Sequence, residues 1–277
     1  MGWTIECLIS KPGRDLNEDA AGATGNLAWV LDGARSPVAP RFGPSDAAWL
    51  VGEIDTRLQA AGASGATLDD ALARLASALP LAWGPADDAD PAGGPTNCLA
   101  LLHLEVDAGT GGANIEAAVL GDVVVLMDGG DGPVIWTDER VRPFEARTIA
   151  VAARCSRAPD GTLGPEVAET IRANRRAINT PHGFAVVSPV RPWLHLARRF
   201  SARLAPGSRL ALMSDGFWRL VDPFEMMSPR ELLDALLSGE ADALLARLRA
   251  AERDDGDAGR WPRIKIHDDA TVMVVRV

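Results

Sequence analysis

Residues 97–136 read NCLALLHLEVDAGTGGANIEAAVLGDVVVLMDGGDGPVIW. Three β-rich apolar runs, 97–106, 114–120 and 123–127, follow one another with only short breaks. Asp128-Gly-Gly-Asp-Gly then reads as a hairpin turn into a further run, 134–136, because Gly and Asp accept the backbone angles a tight turn needs. Strands that succeed one another without an intervening helix pair antiparallel.

Outward from this centre, residues 3–9 and 27–31 read as strands. Residues 45–61 have helical spacing, with Trp49, Ile54 and Leu58 as apolar positions. Thr67 opens a second helix to about Leu79, with acidic residues in its first turn, and 84–95 is a Gly/Pro/Asp loop. Beyond the centre, 165–178 reads as a helix and 210–213 as a strand. Ser228-Pro-Arg-Glu231 is a capping box that starts a helix. A helix over 240–251, a polar loop over 254–261 and a closing strand over 270–277 complete the chain. Strands in neighbouring runs and helices in pairs favour antiparallel sheets with helices outside, not a βαβ parallel sheet. With no repeat and no linker, residues 1–277 read as one domain.

The 277 residues are 47% hydrophobic and 24% charged, enough to bury a full core. A net charge of −10 argues against nucleic acid or an anionic membrane as the main partner. Lys11 and Lys265 are the only lysines. Many arginines lie between Arg140 and Arg209, either as a solvated face or as a docking surface for an acidic partner. Cys7, Cys98 and Cys155 are odd in number and widely spaced, which fits a reducing cytoplasm. No basic-then-apolar signal opens the chain, and the apolar runs are too short to span a bilayer.

Asp-Gly pairs occur at Asp32, Asp128, Asp131, Asp160, Asp215 and Asp255. Most such pairs are turns. Asp32 and Asp215 differ, since each follows an apolar run and so sits at the rim of the core. Desolvation opposes the charge there, and a hard cation is one remedy. Asp128 shares that context, but the strand that follows it explains it as a hairpin.

Around these two stand Asn17-Glu18-Asp19-Ala20, Val30-Leu31-Asp32-Gly33, Leu120-Gly121-Asp122, Met213-Ser214-Asp215-Gly216-Phe217-Trp218 and Asp268-Asp269-Ala270-Thr271-Val272. In this order and rough spacing the set resembles the metal-dependent protein serine/threonine phosphatases of the type-2C (PPM) family, over nearly the whole chain. The resemblance implies an α+β fold, a four-layer αββα sandwich of two antiparallel sheets flanked by helix pairs. It implies hydrolysis of phosphoserine or phosphothreonine on proteins by metal-activated water in a two-metal site. Mg2+ or Mn2+ would be the cofactor, as two ions with a weaker third site in some members. The partners implied are a phosphorylated protein and a cognate serine/threonine kinase.

By the same resemblance Asp32 would bridge the two ions. Glu18 and the Gly33 carbonyl would serve one ion, and Asp215 and Asp268 the other. Asp122 with Asp215 matches the third site. Arg14, four residues before Glu18, would bind phosphate, a task its planar fork suits; its alternative is a surface ion pair with Asp15. Residues 138–201 look like the family's variable flap. Within it, residues 174–179 either line the substrate groove or pack on the core. His267 is either a general acid or a plain strand-end residue.

The loop after Asp32 departs from the family pattern. Asp32-Gly33-Ala34-Arg35-Ser36-Pro37 lacks the glycine pair and has no histidine after Gly33, and Pro95-Thr96-Asn97-Cys98 replaces a threonine-rich strand motif. Two other readings therefore stand beside the leading one. The chain is then a catalytically weak module that binds phosphoproteins, or a hydrolase of small phosphoesters.

Overall fold

The computed structural model describes residues 2–85, 92–107, 109, 112–155 and 163–277. The Asp160 turn and the middle of the 84–95 loop lie outside them. In chain order the elements are β1 (Thr4–Lys11), β2 (Asp19–Thr24), β3 (Leu27–Ala34), α1 (Asp46–Ala63), α2 (Leu68–Trp83), β4 (Thr96–Val106), β5 (Ala113–Leu120), β6 (Val124–Asp128) and β7 (Pro133–Trp136). Then come α3 (Arg142–Ala152), α4 (Pro165–Arg176), β8 (Arg198–Leu204), β9 (Arg209–Met213), α5 (Asp215–Trp218), α6 (Pro229–Leu237), α7 (Ala241–Asp254) and β10 (Ala270–Arg276).

Two five-stranded sheets form, ordered β1-β10-β9-β6-β7 and β2-β3-β4-β5-β8, with every pair antiparallel. Helices α1 and α2 cover the second sheet, and α6 and α7 cover the first. The inner faces of the sheets meet in a third apolar layer. This is the expected four-layer αββα sandwich.

Strand alternation explains how the layers are built. In β3, Leu27, Trp29 and Leu31 face the α1–α2 layer, while Ala28 and Val30 face the other sheet. The same period puts Asp32 on the inter-sheet face, near the strand's end. In α1, Leu50, Ile54 and Leu58 recur every four residues and are fully buried. Ser45 caps α1 and Thr67 caps α2; the capping box at Ser228 and Glu231 is complete.

Several elements differ from the sequence reading. Helix α2 continues through Pro80 to Trp83, whose ring packs on Trp49 at 5.4 Å and on Phe42 at 5.5 Å. Strand β2, of sequence DAAGAT, carries no apolar alternation to announce it; pairing with β3 orders it. The polar loop at 254–261 is folded around a buried ion pair. Asp255 accepts from the Arg260 amide at 2.9 Å, the Trp261 amide at 3.1 Å and the buried Arg263 Nη1 at 2.5 Å.

Helix α3 was not visible in the sequence. Asn174 of α4 holds it, donating to the Phe144 carbonyl and the Thr148 hydroxyl, both at 2.8 Å. Arg175 is buried and donates to the Ala92 carbonyl at 2.9 Å. Asn174, Arg175 and Ile178 therefore pack the α3–α4 pair against the body and line the cleft beneath it. No helix is long and apolar enough to cross a membrane among the described residues.

Candidate metal centre

Strand ends and loops at one end of the sandwich surround a cleft of about 750 Å³, within the usual range for ligand sites. Asp32, Gly33, Asp122, Asp215 and Asp268 line it. Asp32 lies in the last residues of β3, two before its end at Ala34, Asp122 sits in the β5–β6 connection, Asp215 follows β9, and Asp268 precedes β10. Close backbone approaches set these positions. A Cβ on Gly216 would lie 1.8 Å from the Asp269 carbonyl oxygen, so only glycine lets the Asp215 turn meet the Asp268–Asp269 segment. Gly121 has φ +76° and presses on Cys98, which lets β5 turn directly into Asp122.

Two carboxylates not assigned from sequence join the group. Glu145, on α3, offers an oxygen within 4.8 Å of oxygens of Asp122 and Asp215. Asp19 pairs directly with Asp32 across β2 and β3. It is buried, and its Oδ2 has no hydrogen-bond partner. The only sequence signal for Asp19 was its place beside Glu18, and Glu145 gave none.

The electrostatics follow from this crowding. Burial, then Asp215 and Asp19, push the Asp32 carboxyl well above the ordinary range. Burial and then Asp215 raise Asp122 to about 7. Burial raises Asp19, with Asp268, Asp269 and Asp215 adding to it against a hydrogen bond from Ser214. Glu145 is exposed on the cleft wall, but enclosure by the surrounding protein and then Asp122 and Asp215 raise it too. Asp268 behaves oppositely. Burial opposes its charge, but Lys265 at 2.5 Å and Arg219 at 2.7 Å outweigh burial and lower its pKa.

Glu18 does not join the cluster. Its Oε1 accepts from Arg35 Nε at 2.6 Å and from the Ser45 hydroxyl. Its backbone is fixed as well: the Glu18 carbonyl accepts from the Gly33 amide at 2.8 Å, and the Glu18 amide donates to Asp269 Oδ2 at 2.6 Å. Asp269 Oδ1 takes the Gly13 amide at 2.7 Å, so one carboxylate pins both ends of the loop that carries Arg14. Arg14 is exposed and makes no ion pair among the described residues, Asp15 included. His267 contacts Glu252 at 2.9 Å and does not line the cleft.

No protein-family profile matches the sequence, and no curated protein sequence matches it. Solved structures do match. A serine/threonine phosphatase from S. agalactiae superposes with a TM-score of 0.58 at 18% identity, over 99% of each chain. Stp1 from Staphylococcus aureus gives 0.56 at 14% identity, over 100% of this chain and 96% of that one. The catalytic domain of PstP, in complex with two manganese ions, gives 0.54 at 15% identity, over 99% and 97%.

The chain has the PPM phosphatase fold. Within the PPM phosphatase fold its distinctive part is the loop after Asp32. There Arg35 clamps Glu18, and the amides of Arg41 and Phe42 both donate to Asp46 Oδ1 at 2.8 Å. Phe42 stacks on Trp49 at 4.5 Å, and Arg41 lies over Trp83 at 4.6 Å. The loop thus turns on an aromatic clasp at the start of α1 and the end of α2, a different turn from the glycine pair of the family pattern, as its sequence implied.

The centre fits a hard divalent cation. The grouped donors Asp122, Glu145 and Asp215 are carboxylates, the ligand type that suits a hard cation. The unpartnered Asp19 Oδ2 and the raised carboxyls of Asp32, Asp122 and Glu145 mark negative charge that protein groups leave uncompensated.

Proposed function

We propose that this chain is a metal-dependent phosphatase acting on phosphoserine or phosphothreonine in proteins. The observation that carries the reading is the convergence of Asp32, Asp122, Asp215 and Glu145 on one cleft, within the PPM phosphatase fold. Asp32, Asp122, Asp215 and Glu145 would hold Mg2+ or Mn2+, with Asp268 and the Gly33 carbonyl at the edge of the set. Bound there, the ion would supply a water whose pKa falls from ~15.7 toward ~7, a nucleophile at neutral pH.

The chain's own residues do the rest. Arg14, on the loop pinned by Asp269, binds phosphoryl oxygens through its planar fork. The α3–α4 pair roofs the cleft and meets the polypeptide around the phosphorylated side chain.

The test is Mn2+-dependent hydrolysis of a phosphothreonine peptide by the wild type, Asp32→Ala and Asp215→Ala. Both substitutions should abolish turnover while circular dichroism stays native. Wild-type rates in either variant overturn the reading, and activity on sugar phosphates alone reassigns the substrate.

One observation favours a second reading, a phosphoprotein-binding module with little turnover. Arg35 and Ser45 occupy Glu18, so one carboxylate assigned to the metals by resemblance already has partners. Calorimetry that shows metal and phosphopeptide binding without hydrolysis would select it.

A further inference from the structure

Six basic side chains line the acidic cleft, and Lys265 is the one lysine among them. Lys265 lines it together with Asp32, Asp122, Asp215 and Asp268, and its Nζ lies 2.5 Å from Asp268 Oδ1. Arg219 Nη2 takes the other oxygen, Oδ2, at 2.7 Å. Both oxygens of Asp268 are therefore occupied by protein cations. Asp32 and Asp215 line the cleft beside Asp268. Those are the three carboxylates that the resemblance to PPM phosphatases gives to a single ion.

Composition makes the residue type informative. Of 28 basic residues only Lys11 and Lys265 are lysines. At its buried cationic positions the chain uses arginine, at Arg175, Arg219 and Arg263, whereas the Lys265 side chain is about half exposed on the cleft wall, 48%. A guanidinium is a planar fork, suited to one or two flat acceptors. An ammonium is a compact point charge with three donors, which converging oxygens can surround as they would a metal ion. The two ends of the cleft differ accordingly. Among the described residues none of Asp122, Glu145 and Asp215 makes an ion pair, whereas Asp268 makes two.

We infer that Lys265 is a built-in cation that takes the place of one divalent ion against Asp32, Asp215 and Asp268, so the chain binds one ion fewer than its carboxylates would otherwise hold. The inference rests on the metal-dependent reading above and adds which ion is missing. The ion on the side of Asp122, Glu145 and Asp215 remains.

The experiment is Mn2+ stoichiometry by titration calorimetry and by metal analysis after equilibrium dialysis. It compares the wild type, Lys265→Met and Lys265→Arg. Lys265→Met should bind one more ion per chain than the wild type, and Lys265→Arg should keep the wild-type number. Equal stoichiometry in wild type and Lys265→Met, with metal bound to both, overturns the inference and leaves the metal-dependent reading standing. No metal on any of the three overturns both.

A second measurement needs no substitution. Amine acylation, mapped by mass spectrometry, should be slower at Lys265, whose ammonium is held by Asp268, than at Lys11, which makes no ion pair among the described residues, and saturating Mg2+ should not change that. A rise of Lys265 to the Lys11 rate when Mg2+ is added means the ion displaces the ammonium, and overturns the inference.

Discussion

Asp19 stands directly opposite Asp32 across the β2–β3 ladder, in a register that continues through Ala20↔Leu31 and Ala21↔Val30. Like charges at facing cross-strand positions destabilise a sheet, and here Asp19 is buried and Asp32 half-buried at the rim of the core. The metal-free protein should therefore respond to pH in a definite direction. Asp122 has an ordinary value of 3.8 when unfolded and about 7 when folded, and Asp19 and Asp32 are raised as well. A carboxyl with a raised folded pKa keeps its proton longer in the folded state, so that state binds more protons across the window. Stability then falls as pH rises through the window from about 4 to about 7 that Asp122 sets, and Asp19 and Asp32 act in the same direction. Asp268 and Asp255, whose values are lowered, lose their contribution only below the ordinary carboxylate range, outside this window. Thermal unfolding in a chelator should give a lower Tm at about pH 8 than at about pH 5, and saturating Mn2+ should flatten the difference. A metal-free Tm that rises across that range contradicts the assigned crowding.

Arg219 anchors the opposite side of the centre. It is buried and reaches Asp268 at 2.7 Å and Glu252 at 3.1 Å, where Glu252 is fully buried. Arg219→Met takes one cation from each of two buried carboxylates, leaving Asp268 with Lys265 and Glu252 with Arg249. Breaking a buried pair outright costs about 3–5 kcal/mol, the upper limit here. Urea unfolding of the metal-free protein should show a loss below that limit but larger than for Arg230→Met, whose partners Asp128 and Asp234 are exposed. Equal effects for the two would mean that Arg219 is not the centre's structural counter-charge.

The layers were legible in the sequence because apolar runs announce them. β3, β6, β9 and β10 are buried on both faces, and continuous hydrophobic runs follow from that. Asp32 and Asp215 could be picked out because each interrupts such a run. Strand β2 could not, since DAAGAT is made of small residues at half-buried positions and owes its order to β3. Helix α3 is polar and held by Asn174 through long-range bonds, so Glu145 reached the cleft with no local signal. The partner of Glu18 was equally hidden. Arg35 lies in an exposed loop, and its ion pair depends on how that loop folds back. The scarcity of lysine was visible at once, but that Lys265 points into an acidic cleft is a tertiary fact.

Asp269 should matter through the Arg14 loop. Its two oxygens hold the amides of Gly13 and Glu18 at 2.7 and 2.6 Å. Asp269→Ala frees both, and Arg14 loses its fixed position. KM for a phosphopeptide should then rise about tenfold or more, as for Arg14→Ala, equivalent to about 1.4 kcal/mol of binding. The two substitutions should be strongly non-additive, because the second removes nothing that still works. Additive losses in the double variant would separate Asp269 from phosphate binding.

Glu145 ties the α3–α4 pair to the metal centre. It lies on α3, and its oxygen comes within 4.8 Å of those of Asp122 and Asp215. Glu145→Gln keeps the shape and removes the charge, so it should weaken Mn2+ binding at that end of the cleft without unfolding the helix. Calorimetry should show lower Mn2+ affinity than the wild type. If the affinity matches the wild type, α3 is only a wall of the cleft.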